Sequence, residues 1–125
     1  MKESFLTQKG PRAIGPYSTA TISGGTVYLS GVLGIAPETG KLAEGGVEAQ
    51  AHQVLDNMRT ILSELGCTMD DVLKTTVFMK DLGSFAAFNQ VYAEYFPANC
   101  PARSCVEVAR LPMDALVEVE AVVSR

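Results

Sequence analysis

Apolar residues change their spacing four times along the chain, and each change marks a boundary between elements. Residues 18–23 and 25–31 read as two short strands joined at Gly24-Gly25, a dipeptide that accepts the left-handed backbone of a tight hairpin. Gly31, Gly34, Pro37 and Gly40 then predict an irregular loop. From Val47 the period becomes helical: Val47, Ala51, Val54, Leu55, Met58, Ile61, Leu62 and Leu65 form one stripe, and Gly66 stands where a glycine ends a helix. Leu73 to Met79, rich in Thr and Val, predicts a buried strand. A second helix is expected after Gly83, with Phe85, Phe88, Val91, Tyr92 and Tyr95 at helical spacing and Pro97 as its stop. Two final strands, about 103–109 and 116–123, complete the order ββαβαββ.

Strands that come in pairs or stand apart from the helices predict an α+β fold: a single mixed β-sheet with two helices packed on one face. The other face of that sheet is then bare. A hydrophobic content of 47% and a mean hydropathy of +0.16 point the same way, to a homo-oligomer packed through its sheets. With 125 residues the chain fits one domain, residues 1–125.

Charge narrows the function. The formal net charge of −4, with cations scattered singly, opposes a phosphate-backbone partner and so predicts no nucleic acid. No apolar run of signal-peptide or membrane-spanning length occurs, which predicts no membrane and a cytoplasmic protein. Cys67, Cys100 and Cys105 match no zinc or redox spacing, which predicts no metal and a reducing compartment.

The chemistry is concentrated in Pro101-Ala-Arg-Ser-Cys-Val-Glu-Val-Ala-Arg-Leu-Pro112 and Ala115-Leu-Val-Glu-Val-Glu120. Alternation puts Arg103, Cys105 and Glu107 on one face of their strand, and Glu118 and Glu120 on one face of the next. The two strands are expected to be neighbours, so that arginine and carboxylates share a cleft. Arg103 suits capture of a carboxylate through two parallel hydrogen bonds, and a nearby Glu can deprotonate water and return the proton to a departing nitrogen. Plainer readings stand beside these: an ion pair of Arg103 with a Glu, a solvated strand face for Glu118 and Glu120, and a small core residue for Cys105, which is favoured over a nucleophile. His52, the only histidine, reads as structural or exposed. Tyr92, Tyr95 and the phenylalanines read as core. Residue pattern alone stops at a small-anion site.

Several separated motifs take the reading further. Ala13-Ile-Gly-Pro-Tyr-Ser18, Leu29-Ser-Gly31, Leu55-Asp-Asn57, Lys74 to Leu82, Phe88-Asn89 and Pro101 to Glu120 occur in the order found in the RidA/YjgF family, which the whole chain resembles. The resemblance implies a chorismate-mutase-like fold, a homotrimer with sites at subunit interfaces, and no cofactor. It implies hydrolysis of 2-imino acids such as 2-iminopropanoate and 2-iminobutanoate to 2-oxo acids and ammonia. By resemblance Arg103 clamps the substrate carboxylate and Glu118 handles the attacking water, ahead of Glu120, from which alternation cannot separate it. Tyr17, Ser30 and Gly31 line the cleft, Asn89 supports it, and Cys105 contributes its backbone amide. The alternatives are a module that binds 2-oxo acids without catalysis and, more weakly, an endoribonuclease or a chaperone-like role.

Overall fold

The computed structural model describes all 125 residues, Met1–Arg125. Its strands are β1 (Glu3–Phe5), β2 (Ala20–Ser23), β3 (Thr26–Leu33), β4 (Ile35–Ala36), β5 (Lys41–Leu42), β6 (Val72–Met79), β7 (Ala102–Glu107) and β8 (Val117–Ser124). The helices are α1 (Gly46–Glu64) and α2 (Phe85–Tyr95). Six strands form one mixed sheet in the order β1-β2-β3-β8-β6-β7; only β6 and β7 run parallel. The α+β architecture and the order ββαβαββ therefore stand, with three short strands added: β1 on the N-terminal edge, and the β4–β5 hairpin where an irregular loop was expected.

One expectation is overturned. The strands that carry Arg103 and Glu118 are not neighbours, because β6 lies between β7 and β8. The cause is the helix between β6 and β7. A parallel pair needs a crossover long enough to return the chain to the same end, and α2 supplies it.

The helices cover one face. Ala51, Val54, Leu55, Met58, Ile61 and Leu62 of α1, and Phe88, Val91 and Tyr92 of α2, pack on Val77, Val117, Val119, Ala121 and Val123 of the sheet. Each fully buried large side chain contributes about 1.5–3 kcal/mol, so this two-layer contact dominates the fold. Asn57, only 2% exposed, is one of two buried polar residues on α1, with Gln50. Its amide donates to the carbonyls of Leu33 (3.0 Å) and Ile35 (2.8 Å) and accepts from Gln53 (2.8 Å). A helix side chain thereby satisfies the backbone where β3 leaves the sheet. Gln50 does the same at the entry to β8, accepting from the Leu116 N–H at 2.9 Å.

The opposite sheet face is uncovered, as the element order predicts. Tyr28 is 51% and Val106 43% exposed there, with Phe78 and Val122 half-buried between them. No helix is long and apolar enough to cross a membrane.

Candidate functional site

The residues singled out in the sequence fall into two groups on opposite faces of the sheet. The first lines a cleft of about 500 Å³ that includes Tyr17, Ser30, Gly31 and Glu118. The β3–β8 pairing shifts register between Leu29 and Val32, so Ser30 and Gly31 form an irregularity in the ladder. Ser30 fastens this point to the preceding loop: its N–H donates to the Thr19 carbonyl (3.0 Å) and its hydroxyl to the Ser18 carbonyl (2.7 Å). Gly31 leaves room for Glu118. A Cβ on residue 31 would stand 2.7 Å from Glu118 Oε2 and 2.8 Å from its carboxyl carbon, so the carboxylate lies directly against glycine backbone.

This placement distinguishes two carboxylates that alternation leaves equivalent. Glu118 is half-buried and Glu120 exposed. Burial pushes the Glu118 carboxyl up from its ordinary value, and the negative charge of Glu120 adds to the shift. Arg12, Ile14 and Pro112 are among the other wall residues, none of them anticipated. Pro112 belongs to the turn from Leu111 to Ala115, where Met113 (φ 59°) and Asp114 (φ 55°) both adopt left-handed backbone and Arg110 Nε meets Asp114 Oδ1 at 2.9 Å.

The second group surrounds Arg103 on the helix-covered face, at the edge strand β7. One guanidinium nitrogen donates to Asn89 Oδ1 at 2.8 Å. The guanidinium carbon lies 4.7 Å from the centre of the Tyr92 ring and 5.4 Å from that of Phe85. Phe85, Asn89 and Tyr92 share a side of α2 because they are four and three residues apart. Tyr92 is itself fixed from beneath by a 2.7 Å hydrogen bond to Thr75, which is fully buried. The ion-pair reading of Arg103 does not hold: its contacts are an amide and two rings, and Glu107 instead accepts from the Leu82 N–H at 2.9 Å. Aromatic walls and a neutral amide leave the guanidinium's remaining donors for a carboxylate.

Cys105 is half-buried against the core, and burial pushes its thiol up, which suits a packing residue and not a thiolate. Its backbone is differently placed. The Val108 N–H donates to the Met79 carbonyl at 2.9 Å, and the two-residue repeat of a parallel ladder then turns the N–H groups of Arg103, Cys105 and Glu107 toward the open edge. His52 lines neither group; it is half-buried between α1 and α2, with Nδ1 3.1 Å from the Tyr95 hydroxyl.

By spacing alone, Tyr92 and Phe85 both read as core. The available signal was Asn89, a polar residue set between two aromatics at helical spacing. Arg12 and Pro112 carried no such signal, since a cleft wall built from loops has no period.

A mixed six-stranded sheet with two helices on one face, a cleft on the other and an arginine at the edge defines a class of small α+β domains. This chain belongs to the RidA/YjgF family: the family model described as endoribonuclease L-PSP matches residues 7–125. The chain is 46% identical over 122 residues to the human 2-iminobutanoate/2-iminopropanoate deaminase, covering 98% of this chain and 89% of that protein. It is 49% identical over 121 residues to the chloroplastic Reactive Intermediate Deaminase A of Arabidopsis thaliana, covering 97% of this chain and 65% of that one. Among solved structures it is similar to RidA from an Antarctic Psychrobacter, with a TM-score of 0.94, 41% identity and coverage of 98% and 99%. It is also similar to E. coli TdcF with bound serine, with a TM-score of 0.92, 40% identity and 98% of each chain covered.

Proposed function

We propose that this chain is a hydrolytic deaminase of reactive 2-imino acids, releasing 2-oxo acids and ammonia, with its site shared between subunits of a homotrimer. The half-buried Glu118, held against Gly31 with a raised pKa, is the observation that carries the reading. Arg103 of one subunit clamps the carboxylate of a 2-imino acid through parallel hydrogen bonds and so fixes the adjacent carbon. Glu118 of the next subunit takes a proton from water as the oxygen bonds to that carbon. It returns that proton to the imine nitrogen, giving a carbinolamine. It then takes the proton of the new hydroxyl and delivers it to the amine, so that the carbon–oxygen double bond forms as the carbon–nitrogen bond breaks and ammonia leaves. The outward N–H of Cys105 serves the substrate carboxylate, while Tyr17 and Ser30 frame the cleft.

Because Arg103 and Glu118 face opposite sides of one sheet, a single chain supports two half-sites, and the bare sheet face supplies the surface on which copies meet. Three free cysteines and no apolar spanning helix fit a cytoplasmic protein. The nuclease reading loses ground, since the cleft presents Glu118 and Glu120 to what would be a polyanion.

The test is 2-oxobutanoate release by a threonine dehydratase, with wild-type protein and with Glu118→Gln. Acceleration by wild type alone is the expected result. No acceleration by an assembled wild-type protein would reject the deaminase, and 2-oxobutanoate binding without turnover would bring forward the non-catalytic binding module.

The pH profile provides a second check. A base works when ionised, so activity should rise with pH through the raised Glu118 pKa, above the ordinary carboxylate range of about 4.3. Glu120→Gln removes the neighbouring negative charge and should move that acid limb to lower pH. For stability the sign is opposite: a carboxyl whose folded pKa is raised favours folding while protonated, and that contribution is lost as pH rises through the folded value. Glu118→Gln should therefore unfold at neutral pH no more easily than wild type, which thermal denaturation measures.

A further inference from the structure

Tyr17 and Ile14 stand on a loop, residues 11–18, that carries little packing of its own: Ile14 is 83% and Tyr17 50% exposed. Inside it run only the Tyr17 N–H to Gly15 carbonyl bond (2.9 Å) and a long 3.4 Å contact from the Ile14 N–H to the Tyr17 hydroxyl. Its position must come from its ends, one of which Ser30 already holds at the Ser18 and Thr19 carbonyls. Both ends meet at Thr7, which is only 7% exposed. The Thr7 hydroxyl accepts from the N–H of Gly10, just before the loop, at 2.9 Å. The Thr7 N–H donates to the hydroxyl of Thr19, just after the loop, at 3.0 Å.

The knot is fastened to α1. The Thr7 hydroxyl donates to Glu64 Oε1, and Glu64 Oε2 accepts from the Gln8 N–H at 2.8 Å. Glu64 ends α1, where the helix dipole disfavours a negative charge, and no basic residue occupies that last turn. A carboxylate there is unexplained by the helix and explained by the two donors it receives. Gly10 presses on the same helix: a Cβ would stand 2.9 Å from Ile61, itself a wall residue of the Glu118 cleft.

We propose that Thr7 and Glu64 are positioning residues for the cleft, pinning both ends of the 11–18 loop to α1 and so setting where Tyr17 stands against substrate. The proposal deepens the deaminase reading and rests on it for the role of Tyr17. Thr7→Val keeps the side-chain shape and removes the hydroxyl; Thr7→Ser restores it; Glu64→Gln keeps an acceptor without the charge.

The deciding measurement is hydrogen exchange of the Tyr17 amide, the hydrogen-bonded N–H of the 11–18 loop, read with the Kd for 2-oxobutanoate and the kcat and KM of imine hydrolysis. Thr7→Val should exchange about tenfold faster at Tyr17, as loss of a buried hydrogen bond implies, while α1 and β6 keep their protection. Kd and KM should rise by a similar factor, with kcat changed by less than about twofold. Thr7→Ser should return all three to wild type, and Glu64→Gln should fall between. Unchanged exchange at Tyr17, or faster exchange throughout the core, would overturn the positioning role. An inactive wild type would instead defeat the deaminase reading, and exchange with 2-oxobutanoate affinity would still decide the knot.

Discussion

Arg103→Ala and Glu118→Gln proteins, each expected to retain about 1% of wild-type activity or less, should recover about a quarter of it when co-assembled in equal amounts. The reason is geometric. In the proposed shared site the guanidinium comes from one chain and the carboxylate from the next, since β6 separates the two strands and their side chains point to opposite faces. Random mixing gives each site an even chance of an intact arginine and an even chance of an intact glutamate. The product of the two is the recovered fraction. Arg103→Ala removes a side chain seated on aromatic rings at a sheet edge, so assembly should survive, which size-exclusion chromatography verifies. Mixed oligomers with no recovered activity would mean that the two groups do not serve a shared site.

Gly31→Ala should lower kcat/KM about 100-fold with little change in unfolding temperature, a loss on the scale of removing an acid–base group. The backbone at residue 31 is not left-handed, so alanine meets no conformational penalty there. Its methyl group meets Glu118 Oε2 at 2.7 Å instead, and the carboxylate must swing away. Gly34→Ala provides the contrast. A Cβ at residue 34 meets backbone atoms of α1, with the Gln50 carbonyl oxygen at 2.7 Å, so its cost should appear as lost stability. Wild-type activity in an assembled Gly31→Ala protein would show that Glu118 does not work from this position.

Local pattern carried most of the fold. The α1 stripe, the Gly24-Gly25 hairpin and the alternation along β7 and β8 are all set by residues close in sequence. Strand adjacency was not, because pairing of distant strands leaves no trace in either strand alone. The helix between β6 and β7 was nonetheless a usable sign that those two lie side by side. For the site, alternation grouped Arg103 with Cys105 and Glu118 with Glu120 correctly, but it is silent on which face of the sheet is covered. Glu118 differs from Glu120 through a register shift on the neighbouring strand β3, at Ser30 and Gly31, which is distant in sequence. Thr7 and Glu64 are 57 residues apart in sequence and linked by a single side-chain contact, which no period encodes.

The free edge of β7 bears on what happens to a chain that has folded but found no companions. Its outward amides, beside an exposed Val106, offer a template to any extended strand that drifts near, the usual route to aggregation through sheet edges. Pro101 just before the strand and the charges of Arg103 and Glu107 blunt that edge only in part. In the proposed homotrimer, shielding it is thus a service that neighbouring copies render to solubility, whatever they contribute to chemistry.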